Sequence, residues 1–136
     1  MNTPEDLIPV PPRRSWKRKF RDAFRGFKEG VRGQTSFYVH FTAAALVVLA
    51  GWVLGVEFYE WCLLLICIGV VLTAEMFNSA LETMARAITG QSDPHLGSSL
   101  NIGSAAVLMA SIFAALVGAI IFLRRAAILL GWWQAG

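Results

Sequence analysis

Hydrophobic positions fall into four blocks along this chain, and the first differs in kind from the other three. In residues 15–33, Trp16, Phe20, Phe24, Phe27 and Val31 recur at helical spacing on one face, while Arg18, Arg21, Arg25, Lys28 and Arg32 occupy the opposite one. That pattern predicts an amphipathic basic helix lying in a membrane interface, with Ser15 as N-cap and Gly33 as stop. The other three blocks, at about residues 38–56, 61–82 and 105–123, are predominantly apolar, the second being uncharged from Trp61 to Ala74. Each is long enough as a helix to cross a hydrocarbon core of roughly 30 Å. The expected fold class is an all-α membrane protein: an N-terminal amphipathic interfacial helix followed by three transmembrane helices.

The intervening segments read as follows. Residues 1–14, with Pro4, Pro9, Pro11 and Pro12, are expected to form a disordered tail. A polar hinge is expected at residues 34–39. Gly51 and Gly55 make a GxxxG in the first span, a signal for close helix packing. Residues 56–61 carry Glu57, Phe58, Tyr59, Glu60 and Trp61, the composition of an interfacial belt. Residues 89–104 read as a flexible polar connection containing Gly90, Asp93-Pro94, a solvated His95 and Gly103; neither GxxxxGK[ST] nor GxGxxG is present. In the third span Ala106, Ala110, Ala114 and Gly118 recur every fourth residue, which predicts burial in a bundle or an oligomer. Arg124-Arg125 close that span, and residues 126–136 with Trp132-Trp133 read as an interfacial tail.

Composition agrees with this reading. Of 136 residues 56% are hydrophobic and 15% charged, the balance of a membrane protein. The net charge of +3 conceals an asymmetry, because nine of the twelve Lys and Arg lie between Arg13 and Arg32. Beside so much apolar sequence, that basic run points to an anionic membrane surface or a phosphorylated ligand, and not to nucleic acid. It also orients the chain: by the positive-inside rule the N-terminus and residues 89–104 are expected in the cytoplasm and the C-terminus outside. Cys62 and Cys67 sit in an apolar run on different helix faces and read as small core residues. No cleavable signal peptide is expected, since the first apolar stretch begins near His40.

Candidate chemistry is concentrated at the end of the second span. At about 100° per residue, Glu75, Asn78, Ser79, Glu82 and Arg86 share one narrow helix sector. Glu75 lies roughly 20 Å into the span and Glu82 roughly 30 Å, near the cytoplasmic boundary. Glu82 and Arg86 are open to a structural reading, an i, i+4 pair snorkelling to the interface. Glu75 and Asn78 lie deeper, where ionisable and polar groups are costly and mark functional sites. Two uses fit those groups: phosphoryl transfer to a lipid hydroxyl, with a carboxylate beside the attacking oxygen, or proton or ion translocation.

The stretch Glu75-Met-Phe-Asn78-Ser79-Ala-Leu-Glu82, followed by Gly103-Ser104-Ala105-Ala106-Val107-Leu108, resembles the signature of the small prokaryotic integral-membrane diacylglycerol and undecaprenol kinases. Phe20-Arg21-Asp22-Ala23-Phe24-Arg25-Gly26 and Phe37-Tyr-Val-His40 are similar to that family's surface helix and hinge. The resemblance implies a homotrimer with active sites between protomers, in the cytoplasmic (inner) membrane of a bacterium, that uses ATP and Mg²⁺ to phosphorylate a lipid hydroxyl. It implies Glu75 as catalytic base, Glu82 as metal ligand, and Arg18, Gly26 and Asn78 as contacts to the nucleotide or its phosphates.

Three departures from the family pattern accompany it. Gln34 stands where the family has a second metal-binding Glu, a weaker metal ligand because an oxygen donor is kept and a charge is lost. Leu100-Asn101 replace a Lys-Asp pair, and Arg86 replaces an Asp and offers a substitute cation on the same face. Two functions follow: an active lipid kinase with a rearranged site, or a catalytically impaired relative that binds lipid or scaffolds a membrane complex.

Overall fold

The computed structural model describes residues 15–32, 35–88 and 93–132. The expected N-terminal tail, Gly33, Gln34 and Trp133 lie outside these residues. Four helices follow one another: α1 (Trp16–Val31), α2 (Thr35–Val53), α3 (Phe58–Ile88) and α4 (Pro94–Leu129). Among the described residues α2, α3 and α4 are the three helices long and apolar enough to cross a membrane. The all-α architecture with one amphipathic and three spanning helices is therefore as expected.

Several boundaries differ from the sequence reading, each for a local reason. Ser15 caps α1 as expected, its hydroxyl accepting from the Arg18 N–H at 3.4 Å. The hinge at residues 34–39 is shorter than expected, since α2 already begins at Thr35. The connection at residues 89–104 is shorter still. Asp93 accepts from the N–H groups of His95 and Leu96 at 2.8 and 3.1 Å, and Pro94 takes the first helical position. Asp-Pro here starts a helix. At the far end α4 runs on to Leu129, so residues 126–129 continue the helix where an interfacial tail was expected.

Gly51 and Gly55 do different work from one another. Gly51 is buried, and a Cβ there would come within 2.8 Å of the Trp61 ring, so its close-packing role holds. Gly55 ends α2 instead: its φ is +62°, and Val56 N–H donates to the Gly51 carbonyl at 3.1 Å. That six-to-one bond closes a Schellman turn, which needs the left-handed conformation glycine tolerates. Gly131 (φ +74°) closes α4 in the same way, with Trp132 N–H on the Ala127 carbonyl at 2.9 Å.

α3 pairs along its length with α4, and α2 and α1 add to that pair. The buried core is small: Val56, Leu64 and Ile121, supported by Val47, Trp61, Val117 and Phe122. Most large apolar side chains face outward, as suits a chain whose solvent is lipid. In the third span the small residues Ala114 and Gly118 line a cavity of about 270 Å³ between α2, α3 and α4, while Ala106 is exposed. α1 meets α3 at Gly30, where a Cβ would stand 2.9 Å from the Met76 methyl.

A layer of buried charge closes the α2–α3 turn end of the bundle. Glu60 is 2% exposed. It accepts from Arg125 Nε at 2.6 Å and from Arg124 at 3.0 Å, and its other neighbour is the Glu57 N–H at 2.8 Å. Arg125 also pairs with Glu57 at 2.6 Å. The sequence reading treated these four residues as interfacial boundary markers; the fold makes them a latch between α3 and α4.

Candidate functional site

α3 carries the polar face that the sequence singled out. From Glu60 the rise of 1.5 Å per residue puts Glu75 about 22 Å and Glu82 about 33 Å along the helix. Glu75 is 2% exposed. A buried carboxylate needs donors, and α2 supplies them. The Ser36 hydroxyl donates to Oε1, and His40 places Nε2 3.8 Å from Oε2. Ser36 and His40 are four apart on α2, so both project from one face toward Glu75. Neither was singled out from the sequence as a site residue. The readable signal was two polar positions at i, i+4 at the start of an apolar helix.

One turn further on, Asn78 is buried and its Nδ2 donates to Glu82 Oε1 at 3.1 Å. Its Oδ1 is buried with no hydrogen-bond partner, as is Ser79 Oγ. Gly103 on α4 faces this amide, and a Cβ there would stand 2.7 Å from Asn78 Oδ1 and 3.0 Å from Leu81 Cδ1. Glycine is thus what allows α4 to close over the polar face of α3. Glu82 is half-buried, and Arg86 Nη2 lies 3.9 Å from its Oε2. Arg86 itself is largely exposed, so this pair has the weak character of a surface ion pair.

Glu75, Asn78, Ser79, Glu82 and Arg86 therefore occur together on one face, as their spacing indicated. Arg18 and Gly26 lie on α1. Arg18 is exposed with Asp22 at 4.0 Å, and a Cβ at Gly26 would meet nothing within 4 Å. Gln34 is outside the described residues. Leu100 is half-buried and Asn101 exposed in the second turn of α4, just before Gly103.

Among the described residues no three His, Cys, Asp or Glu side chains gather as a ready metal cage. The donor set at residues 78–82 is still suited to a hard cation. It offers one carboxylate and one unpartnered amide oxygen, and Mg²⁺ commonly takes one or two carboxylates and fills its shell from substrate phosphates and water. The groups available are accordingly a buried, oriented carboxylate at Glu75 and an oxygen-donor patch at Asn78 and Glu82.

A family model described as prokaryotic diacylglycerol kinase matches residues 21–122. A curated relative, the undecaprenol kinase of Bacillus subtilis (strain 168), is 27% identical over 108 residues, covering 79% of this chain and 88% of the relative. No solved structure matches the chain.

Proposed function

The chain belongs to the prokaryotic diacylglycerol kinase family, and from that membership we propose that it transfers the γ-phosphoryl group of ATP to a membrane-lipid hydroxyl at the cytoplasmic interface. The undecaprenol and diacylglycerol class of lipid alcohol is the proposed acceptor, given the name of the Bacillus relative and of the family. The observation that carries this reading is the buried Glu75 carboxylate, held by α2, one turn from the Asn78–Glu82 oxygen patch.

In this reading the lipid lies in the bilayer with its hydroxyl at the depth of Glu75. One carboxylate oxygen of Glu75 accepts the hydroxyl proton as the lipid oxygen attacks the γ-phosphorus in line, and ADP departs on the far side. Asn78 and Glu82 would hold Mg²⁺, which when bound neutralises charge on the transferring phosphoryl group. Arg86, largely exposed beside Glu82, would supply a cation on the site face in place of the one that the family has where this chain has Leu100. Arg18 and Gly26 would border the nucleotide from α1, Gly26 leaving room at the helix surface. Burial of Glu75 and the closure of Gly103 on Asn78 keep bulk water from competing as acceptor.

Membrane placement belongs to the same reading. With the Glu60–Arg125 layer at the outer boundary, Glu82 reaches the opposite boundary of a roughly 30 Å core, and α1 lies along the cytoplasmic surface. The proposed assembly is a homotrimer in the cytoplasmic membrane of a bacterium, with α1 arginines near the nucleotide. An impaired relative, suggested by Gln34, Leu100 and Asn101, is not favoured, since the Glu75, Asn78 and Glu82 set stands complete on one face.

The experiment is transfer of labelled phosphate from ATP to a panel of lipid alcohols by the purified protein in detergent micelles, with and without Mg²⁺. Labelled lipid phosphate that depends on Mg²⁺ is expected. A folded protein that labels no lipid on the panel would return the reading to a lipid-binding or scaffolding role.

A further inference from the structure

Resting on the lipid-kinase reading, we propose that His40 is a positioning residue that takes the substrate proton back from Glu75 and releases it to water. A base that is 2% exposed has a problem after each turnover. Once it has accepted the hydroxyl proton it must lose it again, and it has almost no surface of its own from which to do so.

The geometry restricts the route. Oε1 is held by the Ser36 hydroxyl, a group that donates a hydrogen bond but does not titrate in this range. Oε2 faces His40 Nε2 at 3.8 Å. The other neighbours on α3, Asn78 and Ser79, carry no proton-accepting charge. Glu82 lies two turns on and is engaged by Asn78 and Arg86. α1 meets α3 through Gly30 and Met76, and α4 brings Gly103 and Ser111 to this region, none of them titratable. Among the described residues, His40 is the titratable side chain within 4 Å of the Glu75 carboxylate, and imidazole can both accept and donate a proton.

His40 is also less enclosed than Glu75. Its side chain is 18% exposed against 3% for Glu75. It stands in the second turn of α2 and lines the cavity between α2, α3 and α4 with Ala43, Cys67 and Ser111. The 3.8 Å separation exceeds a direct hydrogen bond, yet it is within reach of a small ring rotation or one bridging water. Such distances commonly tighten when substrate binds. The step balances simply. The proton on Glu75 Oε2 passes to His40 Nε2, giving a carboxylate and an imidazolium; the imidazolium then gives the proton to water and both groups are restored. Ser36 contributes by fixing the carboxylate so that Oε2 is the oxygen presented to His40.

The test uses the full chain in micelles with a lipid acceptor that the wild type phosphorylates. His40→Ala and His40→Gln are each expected to lower kcat at least about tenfold with the ATP KM little changed, since general acid–base groups contribute roughly 10²–10⁴-fold. Added imidazole is expected to restore turnover of His40→Ala in a saturable way, an effect that a packing role would not produce. His40→Gln fills the site and keeps an N–H donor without the ability to relay, so it should stay slow. Wild-type kcat in His40→Gln, or a folded His40→Ala that imidazole does not rescue, would overturn the inference. Loss of folding in both variants would likewise overturn it, by making His40 a packing residue. A wild type that phosphorylates no lipid would instead contradict the kinase reading itself.

Discussion

Gly103 on α4 stands so close to Asn78 on α3 that a single added Cβ would fall 2.7 Å from the amide oxygen. The amide cannot simply swing away, because its nitrogen is bonded to Glu82 at 3.1 Å and it is enclosed by the helix pair. Gly103→Ala should therefore turn Asn78 and break its bond to Glu82 before it separates the helices. A rise of about tenfold in the KM for Mg-ATP is expected, equivalent to about 1.4 kcal/mol of lost binding. Steady-state kinetics beside a melting curve in detergent checks this. A variant with normal KM would show that Asn78 is not part of the nucleotide site.

Glu82 is expected to matter through its charge. Glu82→Gln keeps an acceptor for Asn78 but weakens attraction for a hard cation. The Mg²⁺ concentration needed for half-maximal activity should rise at least about tenfold, by the same free-energy scale. Titration of activity against Mg²⁺ reads this directly, and an unshifted curve would move the metal away from Glu82.

At the other end of the bundle the same kind of buried carboxylate serves stability. Glu60→Ala leaves Arg125 without the partner that it holds at 2.6 Å, and leaves Arg124 without its bond at 3.0 Å. Removing one member of a buried pair costs about 3–5 kcal/mol where the remaining charge is left uncompensated; Arg125 keeps Glu57 at 2.6 Å, so the lower end of that range is expected. A clear loss of thermal stability in micelles is expected, with the ATP KM of the surviving folded fraction unchanged. Glu60→Ala with the wild-type melting midpoint would mean that the charge layer is solvated.

α1 presents Trp16, Phe20 and Phe24 to the exterior, all more than two-thirds exposed at 73%, 71% and 75%. In a variant whose other four tryptophans (Trp52, Trp61, Trp132 and Trp133) are replaced by Phe, Trp16 fluorescence in vesicles should be quenched by lipids brominated high on the acyl chain more than by lipids brominated near the methyl end. Equal or absent quenching would remove α1 from the interface.

Much of this organisation was legible in the sequence because it is local. Helical periodicity alone put Glu75, Asn78 and Glu82 on one face, and a single serine marked the start of α1. Asp93-Pro94 is ambiguous in the sequence because the same dipeptide signals a turn or a helix start, and only the N–H groups of His95 and Leu96 decide between them. The partners of the buried carboxylates were not legible. Ser36 and Glu75 are 39 residues apart, Glu60 and Arg125 65 apart, and each pairing depends on how α2 and α4 settle against α3. No spacing rule reaches across such distances. Burial supplies the missing information, since a carboxylate at 2% exposure must have found donors somewhere.

The central claim is that Glu75 is the base of a lipid kinase, and the most direct measurement compares wild type with Glu75→Gln in transfer of labelled phosphate from ATP to undecaprenol in micelles. Glutamine keeps an acceptor for Ser36 and the shape of the site, so the variant should fold and bind nucleotide normally. Its turnover is expected to fall by at least about 10²-fold. Lipid phosphorylation by Glu75→Gln at the wild-type rate would contradict the claim.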